Sequence, residues 1–458
     1  MRRTRASYDP VHSDLLRTLP RVPQDALGRV GRLLAARRSV YLTVGAAVVL
    51  PRLAVVLIER GQITQPFTYA EKSDDIARIY LSSGTFGFIP GMPTAYTQPL
   101  YSFFLIPLYW TFGRSWEVIG SAQIVVSLVT AILVYEIGRR WLDRWAGLAA
   151  ALIVAFHPYA IWHDVHVNRE ILDGLIAAAI FLIAMRLIDR RSVVLAAALG
   201  VVFGLAILGN VRLTVLPLVL AALFLYYWRP SRESFVAISV MIVAAVVVVT
   251  PWVVRNKVSV GCFAVTTDSR ALWEANNPAT LGVLRSGGWI DNVPLPKSFP
   301  PSAQDAGRAY HRRGKIFSVD ECAQVPFYEH KVEHFWEHDP IEKVKLAAQG
   351  TLMLWSPKVS PPETGGVTVK WVTGLRETVE PVYMTPVLLL ALFGLTRVRR
   401  RFAVLALTFL AYQWALAMIF VGATRYRVPW DFVSALLAAA ALVDLSERWR
   451  RRRGAVQT

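Results

Sequence analysis

Long apolar runs separated by short charged segments dominate the chain. A membrane-spanning helix needs about 20 predominantly apolar residues to cross the hydrocarbon core, and fewer when its ends are buried in protein. Ten runs approach that length, and they cover residues 39–58, 117–137, 145–161, 171–188, 193–208, 213–228, 235–254, 382–395, 402–421 and 432–445. The pattern predicts an all-α polytopic membrane protein of about ten transmembrane helices.

The charged connections alternate between the two sides of such a bundle. With residues 1–38 placed in the cytoplasm, every second connection is cytoplasmic, and each of these is short and rich in arginine. They comprise residues 139–144, 189–191, 228–232, 397–401 and 448–453. Because Lys and Arg beside membrane spans stay on the cytoplasmic side, we expect a multi-pass protein of a bacterial inner membrane with both termini in the cytoplasm.

Composition agrees with a membrane protein. The chain is 54% hydrophobic with a mean hydropathy of +0.41, and only 18% of its residues are charged. Soluble proteins average about 25% charged residues. A net charge of +18 would suggest nucleic acid in a soluble protein, but here the arginines lie beside the apolar runs. We therefore expect membrane lipids, and no nucleic acid, among the partners.

The remaining polar residues concentrate on the external face, which also sets the domain organisation. A first external loop at about 59–112 carries a Pro-marked apolar segment, 99–112, that predicts an interfacial helix. Segment 329–354 predicts two amphipathic helices broken at Pro340. The predicted parts are a cytoplasmic Arg-rich tail (1–38), a membrane domain of spans one to seven (39–254), a small external insertion (255–380), spans eight to ten (381–446) and a cytoplasmic tail (447–458).

Both cysteines of the chain, Cys262 and Cys322, fall in the external insertion. Disulfides persist outside the cytoplasm and are rare inside it. The sequence leaves two alternatives open, a bridge between the two cysteines or two unpaired thiols.

Three carboxylates follow the first span closely. Glu71, Asp74 and Asp75 are spaced so that they share one face of a helix, with Arg78 a turn further on. Carboxylates gathered at a membrane surface can act as a general base or hold a metal. The alternative is a solvated acidic first turn that the helix dipole favours.

Several segments together resemble a known family. They are IARIYLSSGTFGF and PTAYTQPLYSFF in the first loop, RRWLDRWAGLAAALIVAFHPYAIWH across spans two and three, GLAILGNVRLTVLPL at spans five and six, TPWVVRN and LWEANNP after span seven, and RYRVP before the last span. In this order they resemble the GT-C superfamily of integral-membrane glycosyltransferases. The bacterial branch concerned is similar to protein mannosyltransferases and to the Rgt and aminoarabinose transferases.

The resemblance implies an inverting hexosyl or pentosyl transferase that acts on the external side. Its donor would be a sugar linked to a polyprenyl phosphate, and its acceptor a glycan, a lipid or a protein. A catalytic acidic residue is expected in the first external loop. It usually stands slightly earlier in the family, where Tyr69 and Ala70 stand here. The assignment therefore stays open among three residues, with Glu71 preferred, then Asp75 and Asp74.

Four arginines lie at the predicted external ends of spans, although positive charges beside spans usually lie on the cytoplasmic side. They are Arg212 in GNVR, Arg255 in WVVRN, and Arg425 and Arg427 in RYRVP. A guanidinium binds phosphate through two parallel hydrogen bonds, so these residues are candidates for the donor phosphate. The family resemblance favours Arg425 and Arg255. The alternative for each is snorkelling toward lipid headgroups.

A polar turn between spans three and four carries further candidates. His163, Asp164 and His166 could bind a divalent metal, whereas the alternative is that the histidines support or hydrogen-bond the acceptor. Glu170 resembles an acidic position that the family often has here. The sequence names no definite cofactor. Arg52 lies inside the first span, where a charge usually faces a cavity or a partner.

Two other classes of function fit a polytopic layout. A transporter or a flippase for lipid-linked sugars is the main alternative, although transporters usually carry polar residues near the bilayer midplane and often show paired halves. This chain concentrates its polar residues outside, and its halves do not match. A catalytically silent accessory subunit is the third class.

Overall fold

The computed structural model of the protein describes residues 24–58, 72–360 and 370–456, and almost all of its regular structure there is helical. Within these residues the one β feature is an isolated bridge between Ile89 and Met92. The helices are α1 (Gln24–Ile58), α2 (Lys72–Ser83), α3 (Leu100–Phe112), α4 (Trp116–Trp141), α5 (Arg144–Ala155), α6 (Pro158–His163), α7 (Glu170–Asp189), α8 (Val193–Gly209), α9 (Leu216–Trp228), α10 (Arg232–Ser259), α11 (Arg270–Glu274), α12 (Thr280–Arg285), α13 (Ala303–Arg313), α14 (Glu321–His338), α15 (Pro340–Trp355), α16 (Lys370–Gly394), α17 (Arg400–Ile419), α18 (Thr424–Arg427) and α19 (Asp431–Val456). The chain divides into residues 1–43 and residues 44–458, and every side-chain contact and cleft described below belongs to the second unit.

Seven segments of the described chain have the length and apolar composition needed to cross a membrane. They are Arg38–Ile58, Trp116–Trp141, Glu170–Asp189, Val211–Trp228, Arg232–Ser259, Arg400–Ile419 and Thr424–Arg452. The protein is therefore a multi-pass membrane protein, and each of these segments coincides with a span that the sequence predicts. The predicted total of ten is not confirmed. Its other three members lie on α5, which has 12 residues, on α8, which has 17, and on the C-terminal half of α16.

The membrane helices pack closely because small residues lie where they cross. A Cβ atom added to Gly147 of α5 would come within 2.6 Å of the Arg139 backbone nitrogen in α4. A Cβ atom at Gly200 of α8 would come within 2.1 Å of the Met241 carbonyl oxygen in α10. Close backbone approach of this kind drives helix association in lipid, where apolar burial against solvent contributes little. A cluster of aromatic rings around the buried Phe181 fills the centre of the bundle.

The first external loop and the insertion form short helices that pack on one end of the bundle. The predicted interfacial segment forms α3, and the predicted amphipathic pair forms α14 and α15, which meet at Pro340. Cys262 and Cys322 form a disulfide with a Cα–Cα distance of 5.7 Å, so the end of α10 is linked covalently to the start of α14. This resolves the alternative that the sequence left open.

Candidate active site

The three candidate carboxylates of the first loop have different surroundings. Glu71 lies outside the described residues. Asp74 is only 2% exposed, and its carboxylate accepts two hydrogen bonds from the Arg114 guanidinium, at 3.0 and 2.9 Å. The Tyr109 hydroxyl donates a third at 2.6 Å. A carboxylate held by three donors serves to join α2 to the end of α3, which is a structural role.

Asp75 remains accessible. Its side chain is 35% exposed, and the Arg78 guanidinium lies 3.6 Å away. Partial burial, and then repulsion from the neighbouring Asp74 carboxylate, raise the pKa of Asp75 above its usual value. Among the described members of the trio, Asp75 has the environment that suits a carboxylate which must gain a proton.

A cleft of about 690 Å³, measured with the open space at its mouth, lies between α1, α4, α6, α7 and the segment around α18. At its edge the Arg425 guanidinium donates to the Glu170 carboxylate, with nitrogen–oxygen distances of 2.9 and 2.7 Å. Glu170 begins α7, and its backbone N–H donates to the Asn168 side chain at 3.0 Å. The structure thus brings together two residues that the sequence treated separately.

A second cleft, of about 350 Å³, adjoins the first, and Arg425 lines both. Arg212 lies in this second cleft, with its guanidinium carbon 4.1 Å from the centre of the Tyr426 ring and 4.9 Å from that of Phe420. Among the described residues, no hydrogen-bond acceptor contacts this guanidinium. Asp173 accepts a hydrogen bond from the Asn210 side chain at 3.0 Å and lines the same cleft. Arg212 and Arg425 therefore present two guanidinium groups to adjoining spaces.

The two other candidate arginines each bind two protein groups or more. Arg255 donates to the carbonyl oxygens of Thr94 at 2.7 Å and Phe86 at 3.0 Å, so it holds the backbone of the first loop. Arg427 is 2% exposed and donates to the Asp431 carboxylate at 3.0 Å. It also donates to the Ser356 carbonyl oxygen, which fixes α18 against the end of α15. Both arrangements are those of residues that position a site.

An ion pair between Arg52 of α1 and Asp164 holds the polar turn in place. Arg52, 1% exposed, donates to the Asp164 carboxylate at 2.9 Å, and the Ser127 hydroxyl donates to the same carboxylate at 2.8 Å. Asp164 is thereby the partner that the buried charge in the first span needs. The sequence alone does not identify Asp164 as this partner.

The histidines of the turn do not converge on a common point. His166 packs between the Trp162 and Trp116 rings, and its Nδ1 lies 2.7 Å from the Trp162 carbonyl oxygen. His163 stacks on Tyr159 and lines the first cleft. Since Asp164 already faces the Arg52 guanidinium, these three residues do not fit a metal. No other group of three or more His, Cys, Asp or Glu side chains suits one within the described ranges.

Beside the first cleft lies a buried charged network that the sequence analysis missed. His157 Nε2 lies 3.1 Å from the Asp431 carboxylate, and Arg427 connects Asp431 with Glu380, whose carboxylate is 3.5 Å from its Nη2. Glu380 also accepts a hydrogen bond from the Tyr159 backbone N–H at 2.9 Å. The one local signal was the spacing of four between Arg427 and Asp431 in RYRVPWD.

The sequence analysis also missed Glu321, a carboxylate of the insertion that binds the first loop. It is 6% exposed and accepts hydrogen bonds from the Thr94 hydroxyl, the Ala95 N–H at 3.0 Å and the Thr267 hydroxyl at 2.6 Å. Three residues after Ala95, the Gln98 side chain accepts a hydrogen bond from Arg169 at 2.9 Å. The loop therefore connects the insertion with the residue that precedes Glu170.

One family of known proteins matches part of the chain. Residues 97–254 match the family model described as dolichyl-phosphate-mannose-protein mannosyltransferase. No curated protein matches the chain.

Two solved structures match the chain at low sequence identity, and the first of them shows a likeness in fold. The oligosaccharyltransferase AglB of Archaeoglobus fulgidus, in complex with an inhibitory peptide and a dolichol-phosphate, is 12% identical with a TM-score of 0.51, over 91% of this chain and 52% of its own. This chain thus spans about half the length of that enzyme. ArnT of Cupriavidus metallidurans, bound to undecaprenyl phosphate, is 14% identical with a TM-score of 0.38, over 91% of this chain and 78% of its own. The resemblance to GT-C superfamily glycosyltransferases is confirmed.

Proposed function

Because the helices of this chain adopt a GT-C fold and residues 97–254 match a mannosyltransferase family, we propose that it is a membrane glycosyltransferase. It moves a sugar from a polyprenyl-phosphate carrier to a glycan, lipid or protein acceptor on the extracytoplasmic face of the bacterial inner membrane. The observation that carries the proposal is the pair of adjoining clefts that share Arg425. One cleft offers polar groups for a sugar, and the other offers guanidinium groups for a phosphate.

The donor phosphate belongs at Arg212 and Arg425 in this proposal. A phosphate leaving group needs cationic partners where water is scarce, and guanidinium groups bind it strongly there. The Tyr426 ring packs against the Arg212 guanidinium and orients it without occupying its hydrogen-bond donors. Glu170 orients Arg425 differently, because one of its carboxylate oxygens accepts hydrogen bonds from Nε and Nη2 of that guanidinium. Arg255 and Arg427 support the site by fixing the first loop and α18.

Transfer then proceeds by in-line displacement. The acceptor oxygen forms a bond to the anomeric carbon as the bond from that carbon to the phosphate oxygen breaks, so the configuration inverts. The electron pair leaves with the polyprenyl phosphate, and a carboxylate of the first loop takes the acceptor proton. We assign this base to Glu71 first and to Asp75 second. His163 contacts the acceptor from the first cleft, and His166 supports the turn.

The test uses purified protein in detergent with a polyprenyl-phosphate sugar, and it measures the carrier released. Glu71→Gln or Asp75→Asn should lower kcat by about a hundredfold or more, since a general base contributes that much. Asp291→Asn, on the exposed surface of the insertion, is the matched control and should keep full activity. Wild-type turnover in both loop variants would contradict the mechanism.

A second set of variants addresses the donor site. Arg212→Gln should raise KM for the donor by about tenfold, because one charge-assisted contact to phosphate is lost. Turnover without vesicles also separates an enzyme from a transporter or flippase, which needs two compartments. Protein that consumes no lipid-linked sugar in detergent but moves it across vesicles would favour transport.

A further inference from the structure

The ends of α4 and α7 that lie opposite the clefts carry a concentration of arginine. A hydrogen bond of 2.8 Å from the Trp141 indole to the Asp189 carboxylate places the last turns of the two helices side by side. Arg139 and Arg140 belong to the last turn of α4, Arg186 belongs to the last turn of α7, and Arg190 follows it. Four guanidinium groups are therefore gathered at one place.

The carboxylates nearby are already engaged. Glu136 binds Arg139 through both carboxylate oxygens, with an Nε–oxygen distance of 2.7 Å. Asp189 accepts the indole N–H of Trp141, and the Arg401 guanidinium lies 3.9 Å away. Neither acid is left to neutralise Arg186 and Arg140, so the cluster keeps an excess of positive charge.

Arg186 is the member of the cluster whose surroundings most favour an anion. Its Nε is buried and donates to no acceptor among the described residues. Of the charges that act on it, Arg140 is the strongest, Glu136 is the one acid and comes second, and Arg139 and Arg190 follow. A buried donor without an acceptor costs about 1–3 kcal/mol, and crowding of like charges adds to that. An oxyanion between α4 and α7 would remove both penalties.

The depth of the arginine cluster relative to the membrane indicates the kind of anion that binds there. Tryptophan is enriched where membrane helices meet the headgroup region. Trp141 ends α4, and Trp145, 64% exposed, begins α5 with the Arg144 guanidinium 5.5 Å from its ring centre. The charge pattern predicts this side to be cytoplasmic, where basic pockets between membrane helices bind anionic headgroups.

We propose that the arginines at the ends of α4 and α7 form a binding site for the phosphate of an anionic membrane lipid. This site is separate from the clefts, and it does not depend on the proposed glycosyl transfer. Arg186 and Arg140 supply the donors, while Trp141 sets the depth of the headgroup.

Lipid retention on the full chain tests the site. The purified protein is incubated in detergent with phosphatidylglycerol or phosphatidylcholine, and bound lipid is counted by native mass spectrometry. Phosphatidylglycerol should be retained, and Arg186→Gln should weaken its binding by about fivefold, as expected for one arginine near an anionic lipid. Arg232→Gln removes an exposed arginine that is predicted to lie on the same side, and it should leave retention unchanged.

Three results would overturn the proposal. One is equal retention by the Arg186→Gln and Arg232→Gln variants. Another is equal binding of phosphatidylcholine and phosphatidylglycerol. The third is displacement of phosphatidylglycerol by millimolar inorganic phosphate, which would assign the arginines to a free anion. If Arg186→Gln does not fold, Arg140→Gln gives the same comparison, because that side chain is exposed.

Discussion

Asp74 and Asp75 are adjacent in the sequence, yet their side chains meet different partners. Asp74 is enclosed by Arg114 and Tyr109, so Asp74→Asn exchanges a charged acceptor of three hydrogen bonds for a neutral amide. We expect the unfolding free energy to fall by about 2 kcal/mol, because the Arg114 guanidinium loses its partner in a mostly buried position. Thermal unfolding in detergent measures the change.

Asp75→Asn provides the comparison for that measurement. Its carboxylate is partly exposed and its nearest cation, Arg78, is 3.6 Å away, so its contribution to stability is small. The Asp75 variant should unfold close to the wild-type temperature, whatever its activity. Equal destabilisation by the two substitutions would show that Asp74 is not the structural member of the pair.

At the scale of residues, the sequence indicated several site members but could not pair them. Glu170 and Arg425 were both candidates, but 255 positions separate them, and only the packing of residues 428–430, which follow α18, against α7 brings them together. The same limit applies to Arg52 and Asp164, which lie on different helices. Glu321 and Glu380 were missed because each stands in a polar segment without a motif, and burial alone distinguishes them.

At the scale of elements, the backbone around Thr94 and Ala95 is held from two sides. The Arg255 guanidinium of α10 donates to the Thr94 carbonyl oxygen. The Glu321 carboxylate, at the start of α14, accepts from the Thr94 hydroxyl and the Ala95 N–H. Glu321→Gln keeps the size of the side chain. It replaces one carboxylate oxygen, which accepts hydrogen bonds, with an NH₂ group, which can only donate them. We expect faster hydrogen exchange at residues 86–95 and about tenfold slower sugar transfer, because a displaced loop misaligns the site.

The matched control for that prediction is Glu337→Gln, an exposed carboxylate near the other end of α14. Hydrogen exchange at residues 86–95 should not change in this variant. If Glu321→Gln leaves both exchange and transfer at wild-type values, the carboxylate does not position the loop. Changed exchange with unchanged transfer would separate the loop from the reaction.

Lys343 joins α15 to the C-terminal end of α17. Its ammonium group donates to the Met418 and Ile419 carbonyl oxygens at 3.0 and 2.9 Å, and to the Asn276 side chain at 2.6 Å. Burial without a carboxylate partner lowers the pKa of Lys343 from 10.5 to about 8. The unfolded chain therefore binds more protons than the folded chain between about pH 8 and 10.5, and stability rises with pH there.

Lys343→Met removes this titration. The difference in Tm between the wild type and the variant should grow in favour of the wild type as the pH rises from about 8 to 10, which differential scanning fluorimetry in detergent can follow. Lys345→Met is the control, since Lys345 is half-exposed and pairs with Glu342 at 2.6 Å. A pH-independent difference in Tm for Lys343→Met would contradict the role of burial.

Membrane helices were the elements that the sequence predicted best. A long apolar run has few alternatives to a helix in lipid, since every backbone polar group must be satisfied within the segment. Short helices such as α11, α12 and α13 carry no comparable signal, because their amphipathic pattern extends over only a few residues. Helix α5 shows the limit for spans, because its length of 12 residues alone does not decide whether it crosses the membrane.

At the scale of the whole molecule, the distribution of charge and the disulfide lead to the same orientation. In the predicted topology the Arg-rich connections occupy one side of the membrane, whereas Cys262 and Cys322, which are bonded to each other, lie on the other. Disulfides persist in oxidising compartments, and positive connections are retained in the cytoplasm. Two independent physical effects thus predict that the clefts face outward, and the orientation can be tested directly.

Thiol labelling from one side of the membrane makes that test. In a background with both native cysteines replaced by serine, Ser286→Cys should react with an impermeant maleimide in intact spheroplasts, because residue 286 is exposed in the external insertion. Thr396→Cys, exposed in the connection between α16 and α17, should react only after lysis. Wild-type protein should stay unlabelled until it is reduced, since its thiols are paired. Labelling of residue 396 in intact spheroplasts would reverse the predicted orientation and place the arginine cluster, rather than the clefts, on the external face.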